Sequence, residues 1–237
     1  MKPYVLQYIS AMPYNAFMAS MIFETLVVGP FQSNAFILGN EETKNALVID
    51  PGDDVRQILE ILKKNGLNLR QILLTHGHID HVSGVKELKE ATGAKVFLHK
   101  EDIFLYEQVP AQASFFGITA NDLVKIDTCL EDGMEIGEGD MSCRVIHTPG
   151  HTPGSVSFYF PFGIVFTGDT LFRWGVGRTD LWGSSHEELM VSIKERLFQL
   201  DNKTKVYPGH GPETTIGVEK RDNPFVKAVN GEWRRNE

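Results

Sequence analysis

Residues 75–81 read Thr75-His76-Gly77-His78-Ile79-Asp80-His81. They follow the apolar run 71–74 and precede a stretch of helical periodicity over 82–92 that Gly93 closes. A strand that runs into a loop projects side chains from the edge of its sheet, where ligands converge. His76 and His78 are two apart in extended chain and point to one side. Asp80 and His81 come where the chain turns into the helix and face a neighbouring point. Four residues of metal-ligand type within six positions is dense. For a chain of 237 residues with 8 histidines, random ordering yields this pattern about 0.0005 times.

The same event recurs three times. His151 lies in the segment from His147 to Ser155 (HTPGHTPGS), after an apolar run that ends at His147. Asp169 lies in Thr167-Gly168-Asp169-Thr170, and His210 in Tyr207-Pro208-Gly209-His210-Gly211. Each follows an apolar or β-branched run and is flanked by glycine, which lets backbone approach closely. Five imidazoles and two carboxylates suffice for two tri- or tetradentate sites. Nitrogen and carboxylate donors without cysteine suit Zn²⁺, Fe²⁺ or Mn²⁺ and argue against an iron–sulfur cluster. Seven ligands on two cations leave open positions, the pattern of a catalytic rather than a structural site. A carboxylate can bridge two cations roughly 3.5–4 Å apart, with a hydroxide on the other side. Metal binding brings the pKa of water to about 7, so the nucleophile exists at neutral pH.

Working outward, short apolar runs alternate with helical patterns along the whole chain. Strands are predicted at 22–28, 35–38, 46–49, 70–75, 95–98, 134–136, 141–147, 155–160, 163–166 and 205–207. Helices are predicted at 55–64, 82–92, 100–118 and 187–200. This mixture is an α/β sandwich in one domain over 21–237. Residues 1–20 carry four aromatics and a single charge, Lys2. They read either as a poorly ordered extension or as the product of an upstream start, with Met21 the true beginning. Composition is ordinary for a globular chain, 42% hydrophobic and 23% charged. A net charge of −8 without a basic stripe argues against a nucleic-acid binder. No window of 18 consecutive apolar residues exists, which excludes a membrane span. Two cysteines, Cys129 and Cys143, are too few for a disulfide framework and are expected to be reduced and buried, in a cytoplasmic protein.

The stretches 75–81, 147–155, 166–172 (FTGDTLF), 175–181 (GVGRTDL) and 207–217 (YPGHGPETTIG) together resemble the metallo-β-lactamase superfamily of metal-dependent hydrolases. The resemblance implies a four-layer αββα sandwich of two mixed sheets with helices on the outer faces. It assigns His76, His78 and His151 to a first metal, Asp80, His81 and His210 to a second, and Asp169 to both. Two divalent ions are implied, Zn²⁺ first, with Fe²⁺ or Mn²⁺ as substitutes. Within the superfamily the GDTLF and GVGR stretches are similar to the glyoxalase II-like group, which hydrolyses glutathione thioesters. The chain is similar to its short members: about two dozen residues follow Glu213, where the longer type carries a helical domain that holds glutathione.

The function expected is therefore hydrolysis of a small-molecule thioester such as S-lactoylglutathione by a metal-bridging hydroxide, with Asp80 orienting it. A thiolate with a thiol pKa near about 8.5 leaves without a strong acid. Arg178 and Arg173 are candidates to hold a substrate carboxylate. Phe104, Tyr106, Phe115 and Phe116 are candidates to wall the cleft. His99 and His186 read as structural, His147 as a neighbour of the site, and Trp174, Trp182 and Trp233 as packing or rim residues. Two rivals stand beside this reading. GRTD (177–180) and EKRDNPF (219–225) resemble the mononuclear iron persulfide dioxygenases of the same superfamily. A non-catalytic metal-bound scaffold is the other.

Overall fold

The computed structural model describes residues 21–118, 122–137 and 139–227. The expectation about residues 1–20, and Trp233, fall outside them. Strands β1 (Met21–Val28), β2 (Ser33–Asn40), β3 (Asn45–Ile49), β4 (Asn68–Leu73), β5 (Lys95–His99) and β6 (Thr128–Leu130) form one sheet in that order. Its first three strands pair antiparallel and the rest parallel. Strands β7 (Glu135–Ile136), β8 (Cys143–His147), β9 (Val156–Phe160), β10 (Ile164–Gly168), β13 (Lys205–Pro208) and β14 (Thr214–Thr215) form the second. There the order is β14-β13-β10-β9-β8-β7, with β10 and β13 parallel. A separate hairpin pairs β11 (Leu171–Phe172) with β12 (Gly175–Val176).

Alternation along the strands dictates the layers. Phe36, Leu38, Leu47 and Ile49 meet Phe158, Phe160, Phe166 and Tyr207 between the sheets. The rings of Phe36, Phe166 and Tyr207 lie 4.8–5.9 Å apart there. The intervening residues Ala35, Ile37, Ala46 and Val48 face outward, under Val55, Ile58 and Leu62 of α1 (Val55–Asn65) and Val85 and Leu88 of α3 (Val85–Thr92). On the far side Val165 and Val206 pack under Leu189 and Met190 of α6 (His186–Val191) and Ile216 of α7 (Ile216–Asp222). The stack is helix, sheet, sheet, helix, as expected.

The helical pattern over 82–92 begins earlier, as α2 (Ile79–Val82), and breaks at Ser83-Gly84 before α3. Gly84 N donates to the Pro51 carbonyl at 2.9 Å, and this docks the break against the end of β3. The insert expected over 100–118 contains α4 (Ile103–Glu107) and α5 (Val109–Phe116). The single helix expected over 187–200 widens into a π turn at Ser192–Arg196. A short α8 (Pro224–Lys227) follows α7, and Asn223 between them donates to the Gly175 carbonyl at 3.0 Å, pinning the chain end to the hairpin. The cysteine expectation is half corrected. Cys143 is buried, and burial, with Glu135 nearby, pushes its thiol pKa well up and keeps it protonated. Cys129 is exposed, because Leu130 takes the inward position on the three-residue edge strand β6 and alternation turns its neighbour out.

Candidate metal centre

Strands β3 and β4 are parallel, and so are β10 and β13. Strand β8 joins their direction through antiparallel β9. All of these strands end at one edge of the sandwich, and every candidate ligand follows such an end, on a loop or, for Asp80 and His81, on α2. The loops are stitched across the sheets. Val156 N donates to the Thr75 carbonyl at 2.9 Å, Asn34 N to that of Gly209 at 2.7 Å, and Gly209 N to that of Gly168 at 2.8 Å. An added Cβ at Gly209 would overlap Asp169 Oδ1 and come 2.8 Å from His81 Cε1. The backbone must pass this close for His210 to arrive.

The structure brings all seven predicted side chains together. The donor atoms of His76, His78 and His151 lie within 4.8 Å of one another, as do those of Asp80, His81 and His210. His78 Nδ1 is 2.9 Å from His151 Nε2, and His210 Nε2 is 3.0 Å from Asp80 Oδ2. Asp169 reaches both groups: its oxygens lie 3.7 Å from His151 Nε2, 3.5 Å from His81 Nε2 and 3.6 Å from His210 Nε2.

Supports behind the rings fix which nitrogen faces inward. His81 Nδ1 lies 3.1 Å from Asp50 Oδ2, His151 Nδ1 2.9 Å from the Arg178 carbonyl, and His210 Nδ1 3.3 Å from the Gln32 carbonyl. Each acceptor requires Nδ1–H, which leaves Nε2 with its lone pair. Thr75 Oγ1 donates to Asp50 Oδ2 at 2.5 Å, so its 3.0 Å contact with His76 Nδ1 is one it accepts. His76 Nε2 is thereby free as well. Among the described residues, His76 Nε2, His81 Nε2 and Asp169 Oδ1 are buried polar atoms with no hydrogen-bond partner. Leaving such atoms unsatisfied costs about 1–3 kcal/mol each. Cations at these two groups would satisfy all three, so the donor set fits a metal pair.

In the first group, electrostatics agree with that fit. Burial and the surrounding imidazoles hold His76 well below its ordinary value, and burial with His151 pushes His78 down to about 3. Neutral imidazoles are what a metal requires. In the second group burial opposes charge on both Asp80 and His81, but their mutual attraction prevails. Asp80 is held far below the carboxylate range, and His81, drawn also by Asp169, lies well above its ordinary value.

Asp50, which directly follows β3, is not among the residues the motifs single out. It is fully buried, accepts from Thr75 N at 2.7 Å and Thr75 Oγ1, and holds His81 from behind. The signal was present: a carboxylate ends the apolar run 46–49, in the same relation to its strand as Asp169 to β10. Asp102 was missed too. Its buried carboxylate accepts from Gly77 N at 2.8 Å, Gly154 N at 2.6 Å and Thr152 Oγ1 at 2.8 Å, tying the loop of His76 and His78 to that of His151.

The profile described as "Metallo-beta-lactamase superfamily" matches residues 28–210. The chain belongs to the metallo-β-lactamase superfamily. It is 38% identical over 216 residues to hydroxyacylglutathione hydrolase GloC of Haemophilus influenzae, covering 88% of this chain and 99% of that one. Among solved structures it is similar to the BLEG-1 B3 metallo-beta-lactamase, at 37% identity and a TM-score of 0.78 over 86% of this chain and 99% of that one. It is equally similar in fold to TTHA1623 in a di-iron-bound form, at 42% identity and a TM-score of 0.78 over 85% and 99%.

The superfamily scaffold here leaves a cleft of about 610 Å³ above the ligand groups, with His78, Asp80, His151, Asp169 and His210 on its lining. Phe115, Phe116, Trp182 and Arg178 line it too. Of the other aromatics expected to wall it, Phe104 packs at a tilt against Trp182, with ring centroids 4.8 Å apart, and Tyr106 is buried with its hydroxyl donating to the Val124 carbonyl. Arg178 is bound to Asp180 through Nε at 2.7 Å and Nη2 at 2.8 Å. Arg173 lies over the Trp174 ring, 4.7 Å from its centroid, and is not among the lining residues. His99 and His147 stack on each other beside the site at 4.3 Å. Among the described residues no helix is long and apolar enough to cross a membrane.

Proposed function

We propose that this chain is a dinuclear metal-dependent hydrolase that cleaves acyl thioesters. The observation that carries the reading is the placement of Asp169, whose carboxylate reaches both three-residue groups at once. His76, His78 and His151 would hold one cation, Asp80, His81 and His210 the other, and Asp169 both. When bound, a pair of divalent ions, zinc in this reading with iron or manganese as substitutes, supplies Lewis acidity and hydroxide at neutral pH.

The protein's own part is orientation. Asp80, ionised and at the cleft floor, orients the attacking hydroxide. His78, Asp80 and His151 line the part of the cleft that the thioester carbonyl would enter. Collapse of the tetrahedral adduct breaks the C–S bond, and a thiolate leaves; a thiol pKa near about 8.5 makes a protein acid unnecessary. Arg178, at the lip, meets a substrate carboxylate by exchanging Asp180. Arg173, engaged with Trp174, supports the rim behind it. Support comes from the similarity to a hydroxyacylglutathione hydrolase and from the open face of the ligand set toward the cleft.

The test is elemental analysis of protein purified without added metal, followed by a thioester panel led by S-lactoylglutathione. Two metals per chain and metal-dependent release of thiol are expected. One iron per chain with sulfur-dependent oxygen uptake would replace this reading with the persulfide dioxygenase. Hydrolysis of β-lactams without any thioester cleavage would replace the substrate class.

A further inference from the structure

The walls of the cleft differ in chemistry from its floor. Beyond the ligand groups, the described lining is Phe31, Ile79, Leu105, Phe115, Phe116, Phe172, Val176, Leu181 and Trp182, with Gln112 and Arg178 as its polar members. Gln112 has no free group to offer a ligand's charge. Its Oε1 accepts from Ile79 N at 2.9 Å and its Nε2 donates to the Leu105 carbonyl at 2.9 Å. Arg178 is neutralised by the bidentate pair with Asp180, and both stand in solvent. The described wall therefore carries no built site for a dicarboxylate or a phosphate.

It does carry apolar surface that is costly to expose. Phe115 is 84% exposed, Phe116 49% and Trp182 60%. These rings are not scattered. Phe116 packs edge-on against Phe31 at 5.0 Å and against Phe115 at 5.1 Å, which builds one continuous aromatic wall. Opposite the ligand groups, Trp182 is braced by Phe104. A contiguous apolar patch that opens onto a reaction centre marks the surface a ligand covers.

Resting on the thioesterase reading, we propose that the acyl group of the substrate is apolar, a medium-length alkyl or an aryl-alkyl chain, and that it lies on the wall of Phe31, Phe115 and Phe116. The thiol carriers available to such an enzyme are polar or charged and match solvent at the lip. The acyl group is the part whose chemistry matches the wall. A cleft of this volume, within the range of small-ligand pockets, accepts such a chain together with the reacting carbonyl. Each methylene that the wall takes from water is worth about a threefold to fourfold gain in kcat/KM until the chain outgrows it.

The experiment uses the metal-loaded full chain and N-acetylcysteamine thioesters of acetate, butyrate, hexanoate, octanoate and phenylacetate, with the same acyl groups on glutathione. The expected result is a rise in kcat/KM of at least about 30-fold from acetyl to hexanoyl, with a smaller effect of carrier than of acyl chain. Phe115→Ser, at a site too exposed to disturb folding, is expected to lower the hexanoyl-to-acetyl ratio at least fivefold; Phe116→Ala lowers it further. Cleavage that is flat or falls along the series, or that depends on glutathione rather than on the acyl chain, overturns this proposal and leaves the thioesterase reading standing. No cleavage of any thioester by chain that holds two metals overturns both.

Discussion

Asp50 Oδ2 lies 3.1 Å from His81 Nδ1, and both side chains are fully buried. The carboxylate stands behind the ring, at the end of β3, while His81 Nε2 faces Asp80 and Asp169 in front. Asp50 fixes the tautomer of His81 and makes its inner nitrogen a better donor. Groups that orient a ligand in this way are typically worth about 10–100-fold in metal affinity. Asp50→Asn is expected to weaken one of two metals by that factor while the other is retained. Chelator competition with two resolved affinities measures it, and an unchanged pair would show that the contact is passive.

Asp102 does for the loops what Asp50 does for a ring. Its two oxygens gather Gly77 N, Gly154 N and Thr152 Oγ1 from loops some fifty residues or more apart for two of the three, at |i−j| of 25, 52 and 50. Burial raises its pKa against these hydrogen bonds. Asp102→Ala leaves three buried donors without an acceptor and is expected to cost about 2–4 kcal/mol of stability. Urea unfolding of the metal-free variant and wild type reads this difference. Zinc affinity at the group of His76, His78 and His151 should fall with it, because the two loops lose their common anchor.

Much of this arrangement was legible in the sequence, for local reasons. The seven ligand residues lie within short motifs whose glycines and strand ends are contiguous with them. Continuous apolar runs such as those of β2 and β3 mark strands buried on both faces. What was not legible depends on partners far away in the chain. Asp50 gains its role only when β4 lies alongside β3. Strand β6 has three residues, and its pairing with β5 rather than its own pattern makes it a strand. The β11–β12 hairpin is held by Glu219, whose buried carboxylate accepts from Trp174 N at 2.9 Å and Thr214 Oγ1 at 2.6 Å. Nothing near Trp174 in sequence announces that contact.

The buried His99, stacked on His147, has its pKa pushed down to about 4 by burial and then by His147. The unfolded chain binds this proton near 6.5. Between these two values the unfolded state holds more protons than the folded one, so stability rises with pH across the window. The contribution is fully present above about pH 6.5 and is lost as pH falls through about 4. His99→Phe keeps a ring in the stack without a titrating group. The variant's stability is expected to depend less on pH between 6.5 and 4, as read by urea midpoints of the metal-loaded proteins. Parallel slopes for the two proteins would contradict the assignment.

Gly209 is where the backbone passes nearest to Asp169 and His81. Gly209→Ala places a methyl group against the Asp169 carboxylate and the His81 ring, two of the candidate ligands. The expected outcome is a chain that folds but loses at least one of its two metals and more than about tenfold of its hydrolytic rate, since misplacement by about 1 Å costs on the order of 100-fold in catalysis. Circular dichroism separates this from global unfolding.

In the proposed centre, seven side chains from four segments of the chain surround two cations. An anomalous difference map from crystals of the zinc-loaded protein, recorded at the zinc edge, tests it most directly. The account predicts two peaks about 3.5–4 Å apart, one about 2.0–2.2 Å from nitrogens of His76, His78 and His151, the other from Asp80, His81 and His210, with Asp169 reaching both. A single peak, or peaks that leave Asp169 unbound, would contradict it.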